Sequence, residues 1–170
     1  MINIRRECEA DRETVYELVK AAFASAEHSD GNEHDLVNAL REGESFIPEL
    51  SLVAEQDGQI VGYILFTKLK LDGAKLLALA PLAVLPEYQR TGVGTALIAR
   101  AHEIARELGY EYSVVLGSEK YYPRSGYVPA SSYGIAAPFE VNDENFMAIK
   151  LDSEAPSVSG TVEYAPEFGL

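Results

Sequence analysis

The stretch at positions 81–95 reads Pro81-Leu82-Ala83-Val84-Leu85-Pro86-Glu87-Tyr88-Gln89-Arg90-Thr91-Gly92-Val93-Gly94-Thr95. An apolar run from Leu76 to Val84 predicts a strand, and apolar residues at helical spacing from Val93 to Leu108 predict a helix. Gly92 and Gly94 stand at the junction, where the lack of side chains lets several backbone N–H groups point into one concavity. Because the positive end of the helix dipole lies at the same place, the junction is suited to a diphosphate.

The spacing of this loop excludes two common nucleotide-binding motifs. A P-loop needs Gly-Lys-Ser/Thr after a four-residue gap, and the loop has no such lysine. The dinucleotide fingerprint needs a third glycine where this chain has Leu97. What remains is Gln-x-x-Gly-x-Gly, formed by Gln89, Gly92 and Gly94, with a fixed positive charge from Arg90. The alternative is that the two glycines only make a tight turn into the helix.

Toward the N-terminus the pattern changes to strands and tight turns. Residues 50–55 alternate between two faces and residues 60–66 are nearly all apolar, with the hairpin signal Asp57-Gly58 between them. Asp72-Gly73 marks a second turn, which leads into the strand that begins at Leu76. These three strands predict an antiparallel meander, whose second strand is buried on both faces.

Two helices and a short strand are expected before the meander. Apolar residues from Val15 to Phe23 recur on one helical face, with Asp11 as the expected N-cap. A weaker pattern from Leu36 to Leu40 predicts a second helix. Ile2 and Ile4 alternate with polar residues, as in a short first strand.

On the C-terminal side of the junction, residues 112–117 predict a buried strand. A strand, a helix and a strand in this order form a βαβ unit, which is normally right-handed and parallel. Residues 121–125 predict a short helix, and strands are expected at residues 146–151 and 158–164. The sequence therefore predicts an α+β fold whose mixed sheet is mostly antiparallel, with one parallel pair in the middle.

Length and charge limit the possible functions. A chain of 170 residues fits one domain, so we expect residues 1–170 to fold together, with residues 151–170 as a C-terminal strand and tail. The net charge is −13, and a surface this acidic repels phosphate backbones. Nucleic acids and anionic membranes are therefore not expected as partners.

The single cysteine bears on the cellular compartment. Cys8 has no partner for an internal disulfide, which fits a reducing compartment, and its acidic neighbours Glu7 and Glu9 disfavour a nucleophilic thiolate. We also expect no signal peptide and no transmembrane segment, because the apolar runs are too short. The expected location is the cytoplasm.

At the strand-to-helix junction the sequence resembles a known family. The Gln-x-x-Gly-x-Gly spacing, preceded by Leu82-Ala83-Val84 and Pro86-Glu87-Tyr88, is similar to motif A of the GCN5-related N-acetyltransferase (GNAT) superfamily. The resemblance extends from Ile2 to about Leu151. Further runs resemble the YhbS-like branch of predicted acetyltransferases: residues 46–55 and 79–84, Val115-Leu116-Gly117, Tyr121-Tyr122, Gly126-Tyr127 and Phe146-Met147.

The resemblance implies helices on both faces of the sheet and acetyl-CoA (coenzyme A) as co-substrate. It also implies that the pantetheine arm enters between two separating strands and pairs with backbone near Leu82 and Val84. The residues expected to bind the cofactor are Leu82, Ala83, Val84, Gln89, Arg90, Thr91, Gly92, Val93, Gly94 and Thr95.

Pro81 bears on the same gap between strands. A proline removes one hydrogen-bond donor from its strand, so the neighbouring strand must be absent, bulged or splayed beside it. An ordinary edge-strand proline is an equally good interpretation of the sequence alone.

Tyr122 is the expected general acid. It stands four residues before Gly126-Tyr127, which matches the Tyr-x-x-x-Gly-aromatic signature of the family. A phenol with a pKa of about 10 stays protonated at pH 7 and can donate to a leaving thiolate, whose conjugate thiol has a pKa of about 8.5. The alternative is that Tyr121 and Tyr122 are both packing residues.

The general base is left open by the sequence. Glu33, His34 and Asp35 lie where the family usually builds its acceptor pocket, and His28 and Glu140 are alternatives. Histidine and cysteine show no metal-ligand spacing, so no metal is expected.

Two functions are consistent with these observations. The first is an N-acetyltransferase that moves an acetyl group from acetyl-CoA to a primary amine, on a small molecule or a protein, by direct attack. The second is a catalytically silent acyl-CoA sensor or interaction module, which the lack of an obvious base favours. A homodimer is possible in either case.

Overall fold

A computed structural model describes residues 1–24 and 31–170 of the chain. The main sheet of this part has seven strands, which are β1 (Asn3–Arg6), β2 (Phe46–Gln56), β3 (Gln59–Leu71), β4 (Ala74–Val84), β5 (Tyr112–Leu116), β6 (Val128–Pro129) and β8 (Phe146–Lys150). Their order in the sheet is β1-β2-β3-β4-β5-β8-β6. Only the pair β4–β5 within it is parallel.

Three α-helices, a small second sheet and six short 3-10 helices complete the described structure. The helices are α1 (Arg12–Phe23), α2 (Glu33–Arg41) and α3 (Val93–Glu107). Strands β7 (Ile135–Ala136) and β9 (Gly160–Thr161) form a short parallel pair. The predicted mostly antiparallel sheet with a parallel pair in its middle is confirmed.

Strand β3 shows why helices cover both faces of the sheet. Successive side chains of a strand point to opposite faces. Ile64 and Phe66 pack in the apolar cluster that contains α3, whereas Tyr63 and Leu65 pack in the cluster that contains α1 and α2. All four side chains are fully buried. The apolar run of β3 therefore fills two cores at once, and the predicted helices on both faces are confirmed.

The start of α3 is packed closely against the sheet. A Cβ atom added to Gly62 of β3 would lie 2.7 Å from Val93 Cγ1 and 3.0 Å from Leu97 Cδ1. Distances this short would force the helix away from the strand. Gly62 therefore sets how near the first turn of α3 lies to the carboxyl end of β4.

Strand β4 parts from its neighbours around Pro81. On one side, Ala80 and Pro81 together face the single residue Leu65 of β3, which is a β-bulge. On the other side, the parallel pairing with β5 ends at Leu79 and Val115. Because β4 is a central strand, the interpretation of Pro81 as an ordinary edge-strand proline is wrong.

Asp11 occupies the position before α1 that the sequence indicated, but its side chain does not cap the helix. Its carboxylate instead accepts hydrogen bonds from Arg5 at 2.7 and 3.0 Å and from the Cys8 backbone N–H at 2.8 Å. The Arg5 guanidinium holds the pKa of Asp11 well below its usual range. The Asp11 carboxylate therefore connects β1 to the start of α1 rather than capping the helix.

The predicted strand at residues 158–164 is mostly wrong. Only Gly160–Thr161 forms a strand, and its neighbours bond to β7 and to Lys70 of β3 at separate points. Val162 is buried among apolar residues of these two elements. The segment follows this apolar surface because its backbone finds partners on two different elements rather than along one strand.

A buried ion pair joins α2, β2 and β3 to the segment that follows β1. Arg41 of α2 binds the Glu7 carboxylate through two guanidinium nitrogens, and the two side chains are 3% and 4% exposed. The Ser51 hydroxyl donates to Glu7 at 3.0 Å and lies 2.6 Å from the Tyr63 hydroxyl. Burial raises the pKa of Tyr63, so the phenol stays neutral beside this pair.

We expect Glu7→Gln to lower the free energy of unfolding by about 3–5 kcal/mol, because Arg41 would stay buried without its counter-charge. The control is Glu163→Gln, which removes an exposed pair with Lys70 and should change stability by less than about 1 kcal/mol. Urea denaturation followed by circular dichroism measures both. If both substitutions lowered the free energy of unfolding by the same amount, the buried Glu7–Arg41 pair would not have the stabilising role assigned to it.

Candidate active site

A large cleft opens where β4 and β5 separate. Its volume is about 1460 Å³, and its walls come from residues 79–82 and Val84 of β4 on one side and residues 115–119 on the other. The strands still pair at Leu79 and Val115, which closes the narrow end of the gap. The separation exposes backbone of both strands to a ligand inserted between them.

The loop between β4 and α3 forms one end of this cleft. The Gln89 side-chain amide donates to the Val84 carbonyl at 3.1 Å, and the Thr91 hydroxyl donates to the Tyr88 carbonyl. These bonds fold the loop back on the end of β4. Arg90 has φ 64° and Gly92 has φ 95°, so the chain turns sharply just before α3 begins.

The first turn of α3 is left open to a ligand. Gly92 is its N-cap and provides no side-chain cap, so the first backbone N–H groups of the helix have no side-chain acceptor there. A Cβ atom on Gly92 would meet nothing within 4 Å. An uncapped helix N-terminus that faces a cleft is suited to anionic oxygens, as the sequence predicted.

Gly94 is needed for a different reason than the sequence suggested. A Cβ atom at this position would collide with the phenol oxygen of Tyr121. The glycine therefore lets Tyr121 lie directly on the first turn of α3. This contact joins the loop to the segment that carries Tyr122.

The predicted cofactor-binding residues divide into two groups. The side chains or backbone of one group line the cleft, and these residues are Leu82, Val84, Gln89, Arg90, Gly92, Gly94 and Thr95. Ala83 and Val93 are buried in the two cores, 2% and 1% exposed, and Thr91 bonds within the loop. These three residues can contribute only backbone groups or loop shape.

Tyr122 lies in the wall of the same cleft. Its ring packs over Gly117, where a Cβ atom would collide with it. The rings of Tyr121 and Tyr127 meet it edge to face, at centroid distances of 5.1 and 5.9 Å. Burial raises its pKa, so the phenol keeps its proton at neutral pH.

A buried polar cluster stands behind Tyr122. The Tyr127 hydroxyl lies 3.0 Å from His102 Nε2 and 2.8 Å from Ser113 Oγ. We call these three residues the Tyr127 cluster. Burial, with a smaller contribution from Arg106, lowers the pKa of His102 to about 4, so its imidazole is neutral at pH 7.

Of the candidate bases, the structure brings Glu33 to the cleft. His34 and Asp35 lie on the same helix but pair with each other and with Tyr16. Glu140 is exposed and is absent from the cleft wall. His28 lies outside the described residues.

Sequence reasoning missed several residues of the cleft wall, among them Phe23, Arg124, Val141, Asn142 and Asn145. Asn145 shows what such residues do, since its amide donates to the Gly117 carbonyl at 3.1 Å and to Glu119 at 2.8 Å. It thereby fixes the loop after β5. No local motif marks these positions, because they reach the cleft only through the sheet order.

Comparison with known proteins identifies the family. The model of the acetyltransferase (GNAT) family matches residues 12–127. The chain belongs to this family. It is 37% identical over 164 residues to the uncharacterized N-acetyltransferase YjhQ of Escherichia coli K12, which covers 92% of this chain and 88% of YjhQ. It is 31% identical over 169 residues to YhbS of the same strain, covering 97% of each.

Solved structures agree with this membership. The crystal structure of Escherichia coli YhbS in complex with CoA has a TM-score of 0.89 at 29% identity and covers 99% of this chain and 92% of that one. A GNAT acetyltransferase from Brucella melitensis in complex with acetyl-CoA has a TM-score of 0.79 at 30% identity, with 99% and 98% covered. The predicted membership in the YhbS-like branch is confirmed.

Family membership makes the chain an N-acetyltransferase, with acetyl-CoA as the co-substrate of its family. Within residues 1–24 and 31–170, no group of three histidine, cysteine or acidic side chains could hold a metal ion. Among the helices described, none has both the length and the apolar character needed to cross a bilayer.

The buried His102 makes stability depend on pH. Its folded-state pKa of about 4 lies below the unfolded value of 6.5, so the unfolded chain binds more protons and stability falls as pH drops from 6.5 through 4. Across this window the wild type should lose about 3 kcal/mol more than His102→Gln, whose amide does not titrate. Urea denaturation at pH 4, 5.5 and 7 measures the difference. Parallel curves for the two proteins would contradict a buried neutral imidazole.

Proposed function

We propose that this enzyme moves the acetyl group of acetyl-CoA to a primary amine by direct nucleophilic attack. The observation that carries the proposal is that a single cleft contains both the open N-terminus of α3 and the protonated Tyr122 phenol. One site suits the diphosphate and the other suits a leaving thiolate. Similar structures have been solved in complex with CoA and with acetyl-CoA, which supports the choice of cofactor.

The cofactor diphosphate would lie at the first turn of α3, beside Arg90. On a protein with net charge −13, these local groups must offset repulsion by the whole molecule. The backbone N–H groups and the helix dipole act over short distances and are therefore not cancelled by distant carboxylates. The pantetheine arm would follow the gap between β4 and β5, where Leu82 and Val84 line the wall.

The reaction would proceed by attack of the neutral amine nitrogen on the thioester carbonyl carbon. A C–N bond forms, the C–S bond breaks, and the sulfur takes a proton from the Tyr122 hydroxyl. The nitrogen of the product amide loses its extra proton to a base or to water, and the Tyr122 phenolate takes a proton back from water. Tyr122 carries its proton at pH 7, and because burial raises its pKa and makes it a weaker acid, the transfer must accompany the cleavage of the C–S bond, as negative charge develops on the sulfur.

Glu33 is the candidate for receiving the amine proton, since this half-buried residue lines the cleft wall. Glu119 adds a second carboxylate to the same wall. Both charges, with the acidic surface, favour an acceptor that arrives as a cationic amine. We place this activity in one domain of residues 1–170 in the cytoplasm, where a reducing environment would keep the exposed Cys8 thiol free.

The alternative function, a silent acyl-CoA sensor, is separated from the enzyme by Tyr122→Phe. An enzyme should lose about 10²- to 10⁴-fold in kcat, because the thiolate then leaves without a proton donor, while its affinity for acetyl-CoA stays unchanged. A panel of diamines, polyamines, aminoglycosides and lysine peptides, read by release of free thiol, provides the acceptor. A wild type that binds acetyl-CoA but acetylates no amine in the panel supports the sensor.

The position of the diphosphate is tested by Gly92→Glu. The new carboxylate would enter the space that the anionic oxygens need, so we expect calorimetric titration of acetyl-CoA to show no binding. The matched control is Gly73→Glu, since Gly73 also has positive φ and open space around a Cβ atom but lies in the turn between β3 and β4. Full binding by Gly92→Glu would overturn the assignment of this loop, whatever the acceptor is.

A further inference from the structure

The Tyr127 cluster joins the two halves of the active site through the core. His102 lies on α3, whose first turn begins at the diphosphate loop, and Ser113 lies on β5, which forms a wall of the cleft. Tyr127 follows the turn that carries Tyr122. The three side chains belong to residues that are 4%, 0% and 1% exposed.

Both hydrogen bonds of Tyr127 use the same hydroxyl. A phenol has one proton to donate and can accept at its oxygen, so bonds to His102 and Ser113 hold it from two sides, whichever way the protons point. Burial raises the pKa of Tyr127 and lowers that of His102, so both are neutral at pH 7. Losing the hydroxyl would leave two buried polar groups without their partner.

The position of the Tyr122 ring is set by its contacts with neighbouring groups. Tyr127 meets it edge to face at 5.9 Å, Tyr121 meets it on another side at 5.1 Å, and Gly117 lies against the ring. Tyr121 in turn rests on Gly94 at the start of α3. Two routes therefore connect α3 with Tyr122, one through Tyr121 at the cleft and one through the Tyr127 cluster in the core.

We propose that the Tyr127 cluster is a positioning device, which holds the Tyr122 phenol at the correct distance from a thioester whose diphosphate is bound on α3. This inference rests on the proposed function. His102, Ser113 and Tyr127 touch no substrate and act only through the Tyr122 ring. A shift of about 1 Å between reacting groups can cost about 10²-fold in rate, so a device of this kind affects kcat far more than cofactor affinity.

The test compares two buried tyrosines that each lose one hydroxyl. Tyr127→Phe removes the hydroxyl of the cluster. Tyr112→Phe is the matched control, because Tyr112 is on β5, is 1% exposed and donates to the Pro156 carbonyl at 3.0 Å on the face away from α3. We expect Tyr127→Phe to lower kcat about 10- to 100-fold with an unchanged Kd for acetyl-CoA, and Tyr112→Phe to keep the wild-type kcat.

Two further measurements separate positioning from stability. His102→Gln keeps an amide that can bond to Tyr127 and should retain more kcat than His102→Leu, although both remove the imidazole. In protein labelled with 3-fluorotyrosine, the ¹⁹F signal of Tyr122, assigned by its loss in Tyr122→Phe, should shift or broaden in Tyr127→Phe and stay unchanged in Tyr112→Phe. This spectroscopic readout does not depend on finding the acceptor.

The outcomes distinguish this inference from the proposed function. Equal losses of kcat in Tyr127→Phe and Tyr112→Phe, with an unmoved Tyr122 signal, would overturn the positioning role while the enzyme function stands. A Tyr122 signal that moves only in Tyr127→Phe supports the positioning role of the cluster, even when no amine is acetylated and the proposed reaction fails.

Discussion

The separation of β4 from β5 beyond Leu79 and Val115 is the constraint on which the site depends. A continuous sheet would satisfy its backbone groups internally and leave no room for an extended ligand. The β-bulge at Ala80 and Pro81 interrupts the pairing of β4 with β3, which resumes at Leu82, whereas the pairing of β4 with β5 stops at Leu79. The cleft, the exposed strand backbone and the access of Tyr122 to a ligand all follow from this break.

Charge acts at two length scales in this protein. The net charge of −13 produces a field that opposes an anionic cofactor, and in the proposed function the first turn of α3 and Arg90 attract the cofactor locally. Salt screens the distant carboxylates more strongly than groups in direct contact with the phosphates. In the proposed function the same acidic surface favours a cationic acceptor, so different parts of the electrostatic field would attract the two substrates.

Predictions from local sequence patterns are correct for features that depend only on residues within one helix, strand or turn. The hairpin signals, the α3 periodicity and the Gly92 turn each depend on a few neighbouring residues, and the structure has them as expected. The predictions for Asp11 and residues 158–164 are wrong because each depends on a contact outside its own element: Asp11 binds Arg5 of β1, and residues 158–164 bond to β7 and to Lys70. Residues 158–164 resemble a strand in sequence because they include apolar residues that are buried in the fold. Burial of these residues does not require that the backbone pairs along one strand.

The fold class and the family follow from the sequence alone, because the spacing of apolar residues and the positions of the glycines specify each strand, helix and turn. The packing of these elements is needed to see that Gly94 makes room for Tyr121, that Glu33 reaches the cleft, and that His102 and Ser113 both lie within hydrogen-bond distance of the Tyr127 hydroxyl. These contacts join residues on different elements. Their distances depend on how helices and strands pack, which spacing along the chain does not specify.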